Sequence, residues 1–147
     1  MSLRIAAVTS HTLEDWRRIH NKIIPTAPLS AEDVEERLTR HLLTLAYDND
    51  VLVGNATVRP STGTTMAATV IVRILPEYRG QGHGSNYFTA ALAEARALGA
   101  QRIETVILAS NGEGLSFAVA RGFVEFDRYT LDGDTIPFID MYLADRL

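Results

Sequence analysis

Three glycines at every second position, Gly80, Gly82 and Gly84, punctuate the run Pro76-Glu77-Tyr78-Arg79-Gly80-Gln81-Gly82-His83-Gly84-Ser85. Glycine carries no Cβ, so such a segment bends tightly and lets a ligand lie against bare backbone. Before it, residues 67–75 are rich in β-branched side chains and read as a strand; after it, residues 85–98 place Phe88, Leu92, Ala95 and Leu98 at helical spacing. A strand, a glycine loop and a helix in succession put free N–H groups and the positive end of a helix dipole at the loop, where an anion is favoured. The chemistry to expect is phosphate binding by backbone amides. A Walker A loop would need Lys and then Ser or Thr after its last glycine, and Ser85-Asn86 stands there instead. A dinucleotide fingerprint would have its third glycine where Ser85 stands, and would not sit mid-chain behind several strands. A glycine-rich strand–helix turn that holds nothing is the structural alternative.

The elements that must position this loop follow from periodicity. Residues 3–8 form a short apolar strand, and Leu13, Trp16, Ile19 and Ile23 mark an amphipathic helix stopped by Pro25 and Pro28. Ser30 with Asp33 reads as a capping box opening a second helix, acidic in its first turn, with Val34, Leu38 and Leu42 on one face. Residues 43–47 and 51–59 are strands joined at Asp48-Asn49-Asp50, and Pro60, Ser61 and Gly63 form a loop. Beyond the central helix, which Gly99 suits as a C-cap, residues 103–108 are a strand and 115–121 a short helix closed by Gly122. Residues 124–131 and 135–143 are final strands across the Asp132-Gly133 turn. One mixed α/β layer structure accounts for the whole order.

Bulk properties narrow the function classes. A chain of 147 residues, 46% hydrophobic and 22% charged, suits one globular domain over residues 1–147. The net charge of -4 argues against nucleic acid as partner. There are no cysteines, which removes disulfides, thiolate metal sites and a cysteine nucleophile. No apolar run is long enough to span a bilayer, and Met1-Ser2-Leu3-Arg4-Ile5 lacks a signal-peptide core, so the expected location is cytoplasmic, away from membranes.

The loop resembles a known signature. Arg79-x-x-Gly82-x-Gly84, preceded by Pro76-Glu77-Tyr78, is similar to the Arg/Gln-x-x-Gly-x-Gly/Ala motif of the GNAT N-acetyltransferases, and the element order resembles that family over nearly the whole chain. The resemblance implies a central, mostly antiparallel twisted sheet with helices on both faces, acetyl-coenzyme A as co-substrate, and no metal. It implies that Arg79, Gly80, Gln81, Gly82, His83, Gly84 and Ser85 bind the cofactor, with the amides of residues 81–85 on the pyrophosphate. Ile74 and Leu75 would pair their backbone with the pantetheine arm, and an N–H of one of them would stabilise the oxyanion. Asn111 would hydrogen-bond the pantetheine, with Phe117 packed beneath; a turn at Asn111-Gly112 is the plainer reading of that pair.

The sequence also departs from the family. Many members carry a general-acid tyrosine seven residues after the asparagine, and Ala118 occupies that position. A thiol of pKa ~8.5 can leave without one, taking its proton from water. The strand before the loop holds no carboxylate to act as general base, only Arg73; Glu104, His20 and His41 are the candidates elsewhere. Arg73 offers a bidentate fork to a carboxylate on the acceptor, or else snorkels at a strand edge. His83 should contribute its amide rather than its ring, and Tyr78 should pack.

The expected activity is acetyl transfer to a primary amine of a small molecule or peptide, in a ternary complex whose acceptor pocket is walled by residues 13–42. A homodimer is implied by family likeness. The missing tyrosine and strand acid also admit a non-catalytic acyl-coenzyme A sensor, or a subunit of a larger acetyltransferase.

Overall fold

The computed structural model describes residues 3–60 and 66–144. In chain order the elements are β1 (Arg4–Ala7), α1 (Leu13–Ile23), α2 (Ala31–Leu38), β2 (Leu42–Asp48), β3 (Val51–Arg59), β4 (Ala67–Ile74), a single 3-10 turn (Pro76–Tyr78), α3 (His83–Ala97), β5 (Arg102–Leu108), α4 (Gly112–Ala120), β6 (Phe123–Tyr129) and β7 (Phe138–Leu143). The strands form one seven-stranded sheet, ordered β1-β2-β3-β4-β5-β7-β6. Every neighbouring pair is antiparallel except β4 with β5. The order and type of elements match the sequence reading; the loop expected at Ser61 and Gly63 lies outside the described residues.

The two faces of the sheet are covered by different helices. Against one face pack Phe88, Ala91 and Ala95 of α3 and Ala118 of α4, over Val58, Ala68, Val70, Ile103, Ile139 and Met141. Against the other lie Leu13, Trp16 and Ile19 of α1 and Val34 of α2, over Leu43, Leu45 and Leu75. Trp16, wholly buried, donates its indole N–H to the Ala56 carbonyl at 3.2 Å. Asn55 returns the link, its amide donating to the Trp16 carbonyl at 3.1 Å. A buried aromatic with a satisfied N–H fixes α1 to β3 in one register.

Local signals set the boundaries. Ser30 and Asp33 form the reciprocal capping box that opens α2. Asn49 and Asp50 both take positive φ, the type I′ geometry that matches the twist of the β2–β3 hairpin. Two side chains depart from the periodicity reading. Leu42 belongs to β2, opposite Val58, because α2 ends at Leu38 and a short turn reverses the chain. Leu98 is half exposed beyond α3, whose buried stripe is instead Tyr87, Phe88, Ala91 and Ala95. α3 and α4 also start earlier than expected, at His83 and Gly112.

Gly54 shows how tightly the middle strands meet. A Cβ there would stand 2.3 Å from the Arg73 carbonyl oxygen, so only glycine permits β4 to lie at this distance.

Candidate active site

β4 and β5 pair as parallel strands over only three residue pairs, Ala67 with Arg102, Ala68 with Ile103 and Thr69 with Glu104, and then splay apart. A cavity of about 340 Å³ opens in the split, lined by residues 70–74 of β4 and 105–108 of β5 and running to the loop at Gly80, Gly82 and Gly84. The Leu75 N–H donates to the Val53 carbonyl at 2.8 Å. The alternation of an antiparallel ladder therefore turns the backbone groups of Ile74 and Val72 away from β3, into the split. These are donors and acceptors a bound chain could pair with.

Leu75 does not join them, and the expectation of a cofactor contact there is corrected. Its N–H is held by Val53, its carbonyl accepts from Tyr78 N–H at 2.9 Å, and its side chain packs under α1. Only Ile74 of that pair keeps an N–H facing the cavity.

At the end of the split, Gly82 caps α3 in the left-handed region, with φ 85°, and no side chain satisfies the first helical amides. Gly80 has φ 80° as well, and Gly80 and residues 82–85 line the same cavity. Arg79 ties the rim together: its Nε donates to the Ile74 carbonyl at 2.9 Å, and its guanidinium lies 3.7 Å from Glu113 at the start of α4. Ser85 accepts a hydrogen bond from Arg121, whose guanidinium lies over the Phe117 ring at 4.1 Å. Gln81 is exposed at the loop tip. The His83 ring is 2% exposed, with Nε2 3.4 Å from Asp48 Oδ2 of the β2–β3 hairpin and no hydrogen-bond partner among the described residues. Tyr78 packs against both neighbouring clusters, as expected.

Asn111 caps α4, its Oδ1 accepting from Gly114 N–H at 3.0 Å. It also lines the cavity, so the cap and ligand readings are compatible. Phe117 stacks edge-on to Phe88 at 6.0 Å, and an added Cβ on Gly84 would meet its ring at 3.4 Å. Ala118 is 3% exposed within the α3–α4 core and presents only a methyl group.

The candidate bases fall away from this cavity. Glu104 is paired with Arg102 at 2.8 Å, at the closed end of the β4–β5 ladder. His20 stacks on Trp16 with centroids 5.6 Å apart, and burial, then Arg73, pushes its pKa down to about 4. That imidazole is neutral at pH 7 and too weak a base for an amine. Burial also lowers His41, whose Nδ1 has no partner among the described residues. Among the cavity-lining residues described, the one carboxylate is Glu113, at the end nearest the glycine loop.

Arg73 is not at a strand edge, since β4 lies between β3 and β5. Burial, then Arg59 and Arg37, pulls its guanidinium down to about 9. Those two arginines, and Asp140 on β7, escaped sequence reasoning. Asp140 lies between the buried Ile139 and Met141, and burial raises its pKa. A carboxylate in strict alternation with apolar neighbours was the available signal.

A family profile described as "Acetyltransferase (GNAT) family" matches residues 6–123. No curated protein sequence matches the chain. Among solved structures, a protein provisionally assigned as a phosphinothricin N-acetyltransferase is 25% identical, with TM-score 0.81 over 98% of this chain and 100% of that one. Arabidopsis thaliana Naa50, solved with the bisubstrate analogue CoA-Ac-MVNAL, has TM-score 0.79 at 20% identity, covering 99% and 100%. YncA from Salmonella typhimurium, solved with acetyl-CoA, has TM-score 0.77 at 15% identity, covering 97% and 94%. Among the described residues there is no cluster of three or more potential metal ligands, and no helix long and apolar enough to cross a membrane.

Proposed function

The chain belongs to the acetyltransferase (GNAT) family, and from that premise we propose that it moves an acetyl group from acetyl-coenzyme A to a primary amine of a small molecule or peptide. One observation carries this reading: the β4–β5 split opens directly onto the unpartnered amides of α3, joining a slot for an extended arm to a cradle for phosphate. The residues lining the split support that donor. Amides of residues 83–85 suit the pyrophosphate, because they lie at a helix N-terminus and meet no side-chain cap. Backbone groups of Val72 suit the pantetheine amides, and Asn111 and Phe117 flank the same path.

In the reaction a nitrogen–carbon bond forms, the carbon–sulfur bond breaks, the amine gives up a proton and the thiolate gains one. The Ile74 N–H is the candidate donor to the carbonyl oxygen as its charge grows. Ala118 supplies no acid, so the thiolate takes its proton from solvent. With no carboxylate at the acceptor end, the amine enters as its free base or loses its proton to water. Holding both reactants in one cavity supplies rate through orientation.

The test is calorimetric titration with acetyl-coenzyme A and coenzyme A, followed by thiol-release assays over a panel of amines. Saturable binding with turnover is expected, and absence of binding by folded protein would remove the reading. The buried methyl of Ala118 favours one second reading, an acyl-coenzyme A sensor, which binding without turnover of any amine would select.

A further inference from the structure

Arg73 and Arg59 stand on the same face of the sheet, the face covered by α1 and α2. Asn55 pairs across from Arg73, Thr57 from Ile71 and Arg59 from Thr69, and in an antiparallel sheet such partners share a face. Asn55 identifies that face, since its side chain bonds the Trp16 carbonyl of α1. Four strand residues separate the two arginines, about 13 Å at the usual rise, which two extended arginine side chains can bridge.

Arg73 lines the cavity, and its Nη1 is sealed from solvent without a hydrogen-bond partner. Among the described residues, no carboxylate lies within ion-pair distance of Arg37, Arg59 or Arg73, although exposed arginines such as Arg40, Arg102 and Arg128 are paired. The charges facing the three differ. Asp140 and Tyr129 act on Arg59, and Asp33 and Glu36 act on Arg37. Arg73 feels only the other two cations, and His20 beside it is neutral. A half-buried guanidinium beside two other cations, with a donor left unpaired, is unfavourable unless an anion completes it. Its planar fork matches a carboxylate with two parallel hydrogen bonds.

We propose that Arg73, supported by Arg59 and Arg37, is an anion-binding acceptor subsite, and that the acceptor is an amino acid or another small amine bearing a carboxylate. This deepens the acetyltransferase reading and rests on it. The carboxylate binds at Arg73 on the α1 side of the cavity and so directs the amine toward the split, where the thioester carbonyl meets Ile74. The three positive charges also select against cationic acceptors such as polyamines, which lack the anion and are repelled.

The experiment compares free L-amino acids, each with its carboxamide and its decarboxylated amine, using acetyl-coenzyme A and thiol release. At least one amino acid is expected to show kcat/KM tenfold or more above its carboxamide. Arg73→Met should raise KM for that amino acid tenfold or more and raise that of the carboxamide far less. Arg73→Lys, which keeps the charge and loses the fork, should fall between, and Arg59→Met gives an independent variant if Arg73→Met does not fold. Calorimetric binding of the same amino acids to coenzyme A-saturated protein needs no turnover. Equal use of carboxamides, equal loss for both substrates in Arg73→Met, or no amino acid binding at all would overturn the subsite. Acetyl-coenzyme A titration of each variant separates the outcomes: intact binding leaves the acetyltransferase reading standing when the subsite fails, and lost binding in the parent protein condemns that reading itself.

Discussion

Arg79 Nε donates to the Ile74 carbonyl oxygen at 2.9 Å, so the signature arginine holds the last residue of β4 while its guanidinium reaches toward Glu113 on α4. The residue that opens the glycine motif acts here as a strap across the mouth of the split, joining β4 to α4 on the far side.

Arg79→Met should therefore loosen the Ile74 end of β4 and weaken acetyl-coenzyme A binding tenfold or more, since a charged donor to a carbonyl contributes roughly 1.5–3 kcal/mol. Calorimetry measures it.

Gly82 has φ 85° and nothing within 4 Å of where a Cβ would stand. A substitution is thus opposed by backbone strain and not by crowding. Gly82→Val should lose more than tenfold in affinity for acetyl-coenzyme A, whereas Gly82→Asn, which tolerates the left-handed region, should retain most of it. Equal losses in the two variants would contradict the strain argument.

Gly54→Ala should destabilise the fold by about 1–3 kcal/mol, as overpacking against a fixed neighbour does. The added Cβ would meet the Arg73 carbonyl oxygen at 2.3 Å, a backbone atom that no rotamer change can move. Denaturant unfolding reads the difference.

His20 makes stability depend on pH. Its folded pKa lies at about 4 against an ordinary 6.5, chiefly through burial, so between those values the unfolded chain binds the extra proton. Stability should fall as pH drops from 6.5 toward 4, by up to about 3 kcal/mol from this group, and level off below. His20→Gln should flatten that part of the unfolding profile.

With no carboxylate at the acceptor end of the cavity, kcat/KM should rise with pH along the free-base fraction of the amine. Acceptors of different pKa should shift the profile accordingly. A plateau at one pH for all acceptors would instead reveal an enzyme base.

The linear chain by itself determined a good deal. Glycine spacing, the Ser30–Asp33 box and 3.6-residue periodicity act over a few residues, so they announced the glycine loop, the helices and the element order without any distant contact. Leu42 and Leu98 misled because an apolar residue at helical spacing can equally begin a strand or hang beyond a cap. What only the tertiary structure decided is long-range. Pairing across β3 and β4 consumes the Leu75 amide and frees that of Ile74; the three-pair ladder of β4 and β5 opens the cavity. Arg37, Arg59 and Arg73 come from α2, β3 and β4 and share a face only after the sheet forms. Their charge matters because folding removes their water, and no local pattern in the sequence records which side chains will lose it together.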